Sequence, residues 1–105
     1  MKLGIFSYYN KLLKAFDTKM QFDDHEDEKV VFNVSRALNG RLALGTYQDL
    51  RFLCLYKLGT FDDETGEFEA DKQLLLDFDN VIAQYEAKNI QPKEVKENGE
   101  QASSN

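Results

Sequence analysis

The hydrophobic pattern of this chain changes period along its length, from near two to near that of a helix, and then repeats that change. Residues 2–9 are rich in β-favouring types (Leu3, Ile5, Phe6, Tyr8, Tyr9) and predict an opening strand. Asn10-Lys11 marks a turn. Over residues 14–22, Phe16, Thr18, Met20 and Phe22 fall on one side and Asp17, Lys19 and Gln21 on the other, which predicts a half-buried antiparallel strand and a first hairpin. Residues 23–28 lead into a helix. Asp24 is the expected cap, and Glu26, Asp27 and Glu28 put negative charge where the helix dipole favours it. Val30, Val31, Val34, Ala37 and Leu38 then recur at helical spacing, with Asn39-Gly40 as the expected stop.

Residues 41–50 carry mixed signals and read as a connection. Residues 51–61 predict the strongest strand, with Phe52, Cys54, Tyr56 and Leu58 facing one way and Leu53 and Leu55 the other. Apolar on both sides, it belongs in the middle of a sheet. Residues 62–66 form a tight turn, with Gly66 where a positive φ is needed. Residues 67–70 return as a short, acidic edge strand. Leu74, Leu75, Phe78, Val81, Ile82 and Tyr85 predict a helix over residues 72–87 capped by Asp71. From residue 88 the polar, Pro- and Gly-containing end predicts a disordered tail. The expected fold is therefore α+β. It has one domain over residues 1–87, with an antiparallel sheet of about four strands in the order β-β-α-β-β-α and one or two helices on one face.

Composition narrows the function. The 105 residues suffice for one small core, and 8 Phe and 5 Tyr supply bulk for it. The single cysteine, Cys54, lies in an apolar run and reads as a buried, reduced thiol. The single histidine, His25, lies far from it in an acidic stretch, so no nucleophile–base pair is suggested. There is no phosphate-cradling glycine loop, no Cys/His metal spacing and no signal-peptide pattern. No apolar stretch approaches the ~20 residues that span a bilayer. The expectation is a soluble, non-enzymatic protein with no catalytic residues, no metal, no cofactor and no membrane partner.

Charge is uneven. The net charge is −6, yet residues 1–59 hold 9 basic and 7 acidic side chains, whereas residues 60–87 hold 1 basic and 9 acidic. Two constellations follow. Tyr8, Tyr9, Phe16 and Tyr56 on predicted strands are interleaved with Lys11, Lys14, Lys19, Arg36, Arg41, Arg51 and Lys57. Rings on which bases stack, with cations along the backbone, are what single-stranded nucleic acid binding requires. The candidate nucleic-acid residues are Tyr8, Tyr9, Lys11, Lys14, Lys19, Arg51 and Lys57; the competing reading is aromatic core with a solvated basic face. The second constellation is Asp62, Asp63, Glu64 and Glu67 at the hairpin tip. Its spacing does not match a calcium loop, so it is a candidate surface for a basic partner.

Two stretches carry a resemblance. Met1-Lys2-Leu3, Ile5-Phe6-Ser7 and Tyr9 open the chain, and Leu55-Tyr56, Leu58-Gly59, Phe61-Asp62-Asp63 and Thr65-Gly66 build the later hairpin, with a helix between them. In these words, over about the first 70 residues of what reads as one domain, the chain resembles the small non-structural protein of gokushoviruses, microviruses with circular single-stranded DNA genomes. It departs from the family at Met20-Gln21-Phe22-Asp23, where members carry a Pro-rich strand end. It departs again at Thr46-Tyr47-Gln48-Asp49, where they carry a His-Pro-Glu-Asp-like turn, and in a longer C-terminal helix. These departures bear on the middle connection more than on the hairpin.

The resemblance implies a protein made in the cytoplasm of the infected bacterial host and absent from the virion. Its implied role lies in viral DNA replication, at the shift from duplex replication to single-strand synthesis, with no catalytic residue to carry over. The expected partner is single-stranded DNA, or a viral or host replication protein, with a homodimer through an edge strand as a further expectation. The alternative function is an acidic protein–protein adaptor, or a DNA-mimicking inhibitor, acting through the hairpin tip.

Overall fold

Strand β1 (Lys2–Asn10) is the spine of a five-stranded antiparallel sheet. This computed structural model describes residues 1–89. Along one edge of β1 run two short pieces, β2 (Ala15–Phe16) and β3 (Gln21–Asp23). Along the other lies β4 (Leu53–Asp62), and β5 (Phe68–Asp77) forms the outer edge beyond it. Helix α1 (Asp27–Leu44) joins β3 to β4 through a short 3-10 turn at Gln48–Leu50, and α2 (Phe78–Asn89) follows β5. The α+β class, the order of helices and strands and the central place of β4 agree with the sequence.

One hydrophobic core joins both helices to one face of the sheet. Phe6 of β1 and Leu55 of β4 meet Val30, Leu38 and Leu42 of α1, Tyr47 of the connection, and Phe78 and Ile82 of α2. Side chains alternate across a strand, so the neighbours Ile5 and Cys54 project to the other face; both are buried, but outside that core.

Several boundaries differ from the sequence reading. The strand expected over residues 14–22 is broken in two because the Asp17 carboxylate accepts the Lys19 N–H at 2.9 Å and turns the chain. Helix α1 does not stop at Asn39-Gly40. It continues so that Leu42, 3% exposed, extends the stripe of Val30 and Leu38, a gain that exceeds the roughly 1 kcal/mol cost of a helical glycine. It ends at Gly45, whose left-handed φ of 75° lets its N–H reach the Arg41 and Leu42 carbonyls. Asp24 does not cap it; Glu26 occupies that position and makes no side-chain cap bond.

The largest difference is at β5. Residues 72–77, expected to be helical, extend the returning strand, paired with β4 as far as Cys54–Asp77. Helix α2 starts only at Phe78, and Asp77 rather than Asp71 serves its first turn, accepting the Asp79 N–H at 3.1 Å. At the other end α2 runs through Lys88 and Asn89, which the sequence assigned to the tail; the rest of that tail lies outside the described residues.

The β4–β5 hairpin closes as expected around Gly66, whose N–H donates to the Asp62 carbonyl at 2.7 Å. Before it, both ladders of β4 carry an irregularity. The pairing shifts between Ile5 and Phe6 against β1, and between Lys57 and Gly59 against β5. Gly59 sits in this bulge with φ 155°, and a Cβ built on it would run into the Glu69 carbonyl oxygen.

Candidate functional site

Among the described residues, no helix packs on the sheet face opposite the core; aromatic rings cover its buried Ile5 and Cys54. That face carries two ring clusters. In the first, Tyr9 of β1, Phe16 of β2 and Tyr56 of β4 meet with centroids 4.9 Å (Tyr9–Phe16), 5.1 Å (Phe16–Tyr56) and 6.2 Å (Tyr9–Tyr56) apart. In the second, Phe61 lies 4.7 Å from Phe68 and 5.6 Å from Phe22. The edge-to-face and tilted geometries are those that ring quadrupoles favour. These pairs follow from register: Tyr9 stands opposite Phe16, Phe61 opposite Phe68, and Ile5 opposite Phe22.

Strand β5 is amphipathic. Phe68, Ala70, Lys72 and Leu74 project to the open face, whereas Glu69, Asp71 and Gln73 project to the other. Lys72 places its Nζ 6.0 Å from the Phe16 centroid, within reach of a cation–π contact. Leu74, opposite Tyr56, is 52% exposed.

The seven residues proposed from sequence for nucleic acid do not come together as a set. Tyr8 points into the core, edge-on to Phe78 at 5.9 Å, and burial pushes its phenol pKa up. Lys57 is on the helix side, 3.0 Å from Asp27. Arg51 is held by Glu86 at 2.6 Å and Asp79 at 3.3 Å, which raises its already high pKa and fastens the 3-10 turn to α2. Lys11 is paired with Asp77 at 3.1 Å, and that hydrogen bond holds its ammonium pKa above the ordinary value. Two remain available at the open face: Tyr9 is in the first ring cluster and Lys14 lies two positions before Phe16 in the β1–β2 turn. Lys19, in the link between β2 and β3, instead lines a small pocket with Phe6, Tyr8, Val30 and Leu55 of the helix side. With Lys72, Lys14 and Lys19 make no ion pair among the described residues. Sequence reasoning included Phe16 and Tyr56 in the constellation but missed Phe22, Phe61, Phe68 and Lys72. The signal for the β5 residues was a period of two over Phe68, Ala70, Lys72 and Leu74, masked by the helical reading.

The acidic tip is largely engaged within the chain. The Asp62 carboxylate accepts the Glu64 N–H at 2.9 Å, and backbone donation lowers its pKa. Asp63 and Glu64 lie 2.6 and 3.4 Å from the Met1 amino group. Glu67 is exposed, its N–H donating to Thr65 Oγ1 at 3.3 Å.

Two further groups have chemical potential. Cys54 is buried, which pushes its thiol pKa up, with Asp77 opposing ionisation as well. Asp23, Asp24 and His25 bring three ligand atoms within 4.8 Å of one another. Their closeness is explained by their own bonds: Asp23 accepts the His25 N–H at 2.8 Å and its Oδ1 lies 2.7 Å from His25 Nδ1.

Compared with protein-family profiles, with curated proteins and with solved structures, the chain finds no significant match in any of the three. No helix among the described residues is long and apolar enough to cross a membrane.

Proposed function

We propose that this chain is a non-catalytic accessory protein in the DNA replication of a single-stranded DNA bacteriophage, acting in the cytoplasm of the infected bacterium. It holds single-stranded DNA on the open face of its sheet. The observation that carries the reading is the Tyr9–Phe16–Tyr56 platform, with Lys72 beside Phe16 and Lys14 in the adjoining β1–β2 turn. Unpaired bases offer π-faces to such rings, whereas a duplex hides them, and nearby ammonium groups follow the phosphates. The gokushovirus-like words at both ends of this region supply the biological setting. The acidic-adaptor alternative has less support, because Asp62, Asp63 and Glu64 already have partners in the chain.

The test is fluorescence anisotropy of labelled single- and double-stranded oligonucleotides at low and moderate salt. Single-strand preference is expected. With two lysines at phosphates, log affinity falls against log salt with a slope of about −1.4. Tyr56→Ala removes a stacking ring and weakens binding by about 1–3 kcal/mol. Lys72→Glu weakens it and flattens the salt slope. No saturable binding at low salt, or full binding by Lys72→Glu, removes this reading.

A further inference from the structure

We propose that the free edge of β5, at its Phe68–Asp71 end, takes an added strand from a partner protein in which basic and apolar side chains alternate. This goes beyond the DNA reading and does not rest on it. Strand β5 is the outermost of the sheet, and among the described residues no strand pairs its far edge. Its residues from Phe68 to Leu74 are all exposed. Such an edge presents a row of main-chain donors and acceptors that a further strand can use.

Two hollows of opposite chemistry flank this edge, one on each face of the sheet. On the open face, Ile5, Met20, Phe22, Leu58 and Ala70 line an apolar groove of about 280 Å³ beside Phe68. On the other face, Asp62, Glu67 and Glu69 line a hollow of about 370 Å³ together with Thr60 and Lys2. Three carboxylates against one ammonium leave that hollow acidic. Glu67, Glu69 and Asp71 make no ion pair among the described residues. Side chains alternate along an added strand, so consecutive residues reach the two faces in turn. One enters the apolar groove, and the next, a Lys or Arg, meets the carboxylates.

Charge selects the occupant. Nucleic acid is repelled by the same carboxylates. Pairing β5 with β5 of a second copy, the homodimer expected from the sequence, adds Glu69 and Asp71 to Glu69 and Asp71, and like charges across a ladder are destabilising. A basic strand turns each of these carboxylates into an attraction. It also leaves the Tyr9–Phe16–Tyr56 platform free. Ala70 stands opposite Gly59 and Leu74 opposite Tyr56, about 13 Å further along the strand. With a few main-chain bonds and one side chain in each hollow, the contact is small and therefore transient.

Titration calorimetry of the full chain with a short capped peptide alternating Lys and Val, without DNA, tests this. Saturable binding is expected at micromolar to submillimolar concentration, weakening as salt rises, with slowed hydrogen exchange at β5 amides. The fully N-methylated peptide keeps the charges but cannot donate main-chain hydrogen bonds, and a peptide alternating Glu and Val reverses the charges; each is expected to bind at least about tenfold more weakly. Glu69→Lys combined with Asp71→Lys is expected to weaken the Lys-Val peptide by at least about tenfold, with the melting midpoint of the parent, since both side chains are exposed. No saturable binding overturns the proposal. So does equal binding of the N-methylated or the Glu-Val peptide, or equal binding by the double variant. Because no oligonucleotide is present, this result and that of the DNA titration stand or fall separately.

Discussion

Gly59 shows how much one residue can decide. It lies in the bulge of β4, where backbone from β5 approaches so closely that a Cβ has no room before the Glu69 carbonyl. The obstacle is backbone, which cannot swing aside as a flexible side chain can. Gly59→Ala is therefore expected to destabilise the fold by at least about 2 kcal/mol, combining the unfavourable φ with the clash. Urea denaturation of both proteins checks this, and a midpoint within error of the parent would contradict it. Ser7 is a second case. A buried polar residue in a strand usually needs a partner, and Ser7 Oγ donates to the Asp17 carbonyl at 2.7 Å, fixing the link after β2 against β1. Both residues fall in the words the sequence made conspicuous, Ile5-Phe6-Ser7 and Leu58-Gly59. Those words were legible as patterns, but the reason for each is a contact with a residue ten positions away, which local reading does not reach.

At the scale of elements, α1 carries a correctable weakness. Gly40 lies inside the helix, and a Cβ there would meet nothing within 4 Å. Gly40→Ala is expected to stabilise the protein by about 0.5–1 kcal/mol, from the lower backbone entropy of the unfolded chain. A rise in the thermal midpoint measures it; a fall would mean that the position has a role its open surroundings do not reveal. The same helix explains one sequence error. Asn39-Gly40 is a good local stop signal, overridden by the burial of Leu42. The other large error, β5 read as helix, arose because Leu74-Leu75-Leu76 satisfies either period. The long free edge of β4 settles the matter by offering hydrogen bonds as far as Cys54, and only tertiary context supplies that edge. β1, rich in β-favouring residues, and β4, apolar on both sides at its middle, were readable to within a few residues, and so was the half of α2 that carries Val81, Ile82 and Tyr85, whereas the clear alternation over residues 14–22 did not make one strand.

At the scale of the molecule, distant segments are tied by one polar network. Tyr47 donates its hydroxyl to Glu86 at 2.8 Å, and Arg51 reaches the same oxygen at 2.6 Å, so the α1–β4 connection is fastened to α2. Arg51 first, and then Tyr47, holds the Glu86 pKa below its ordinary value. A carboxylate depressed on folding contributes stability that is fully present above its unfolded pKa of about 4.3 and is lost as pH falls through the lower folded value. Thermal melts from neutral to acid pH should show this loss, and Glu86→Gln should have a shallower decline over that window. An unchanged slope would exclude Glu86 as a contributor. This network also limits how far the candidate site could be read in advance. Aromatic residues interleaved with cations were visible along the chain, but a carboxylate 35 positions from Arg51, or 66 from Lys11, takes each cation out of play. The rings that remain together do so because strand register places them side by side.

The bulge at Gly59 has one more effect, on shape. An extra residue in one strand sharpens the local right-handed twist, and this one falls between the two aromatic groups. The open face is thus bent between them rather than flat. A stiff rod laid on such a surface touches it over a short stretch and then departs from it, whereas a chain with rotatable bonds can follow the bend. For the proposed DNA-binding role, curvature alone then favours a pliable single strand over a straight duplex.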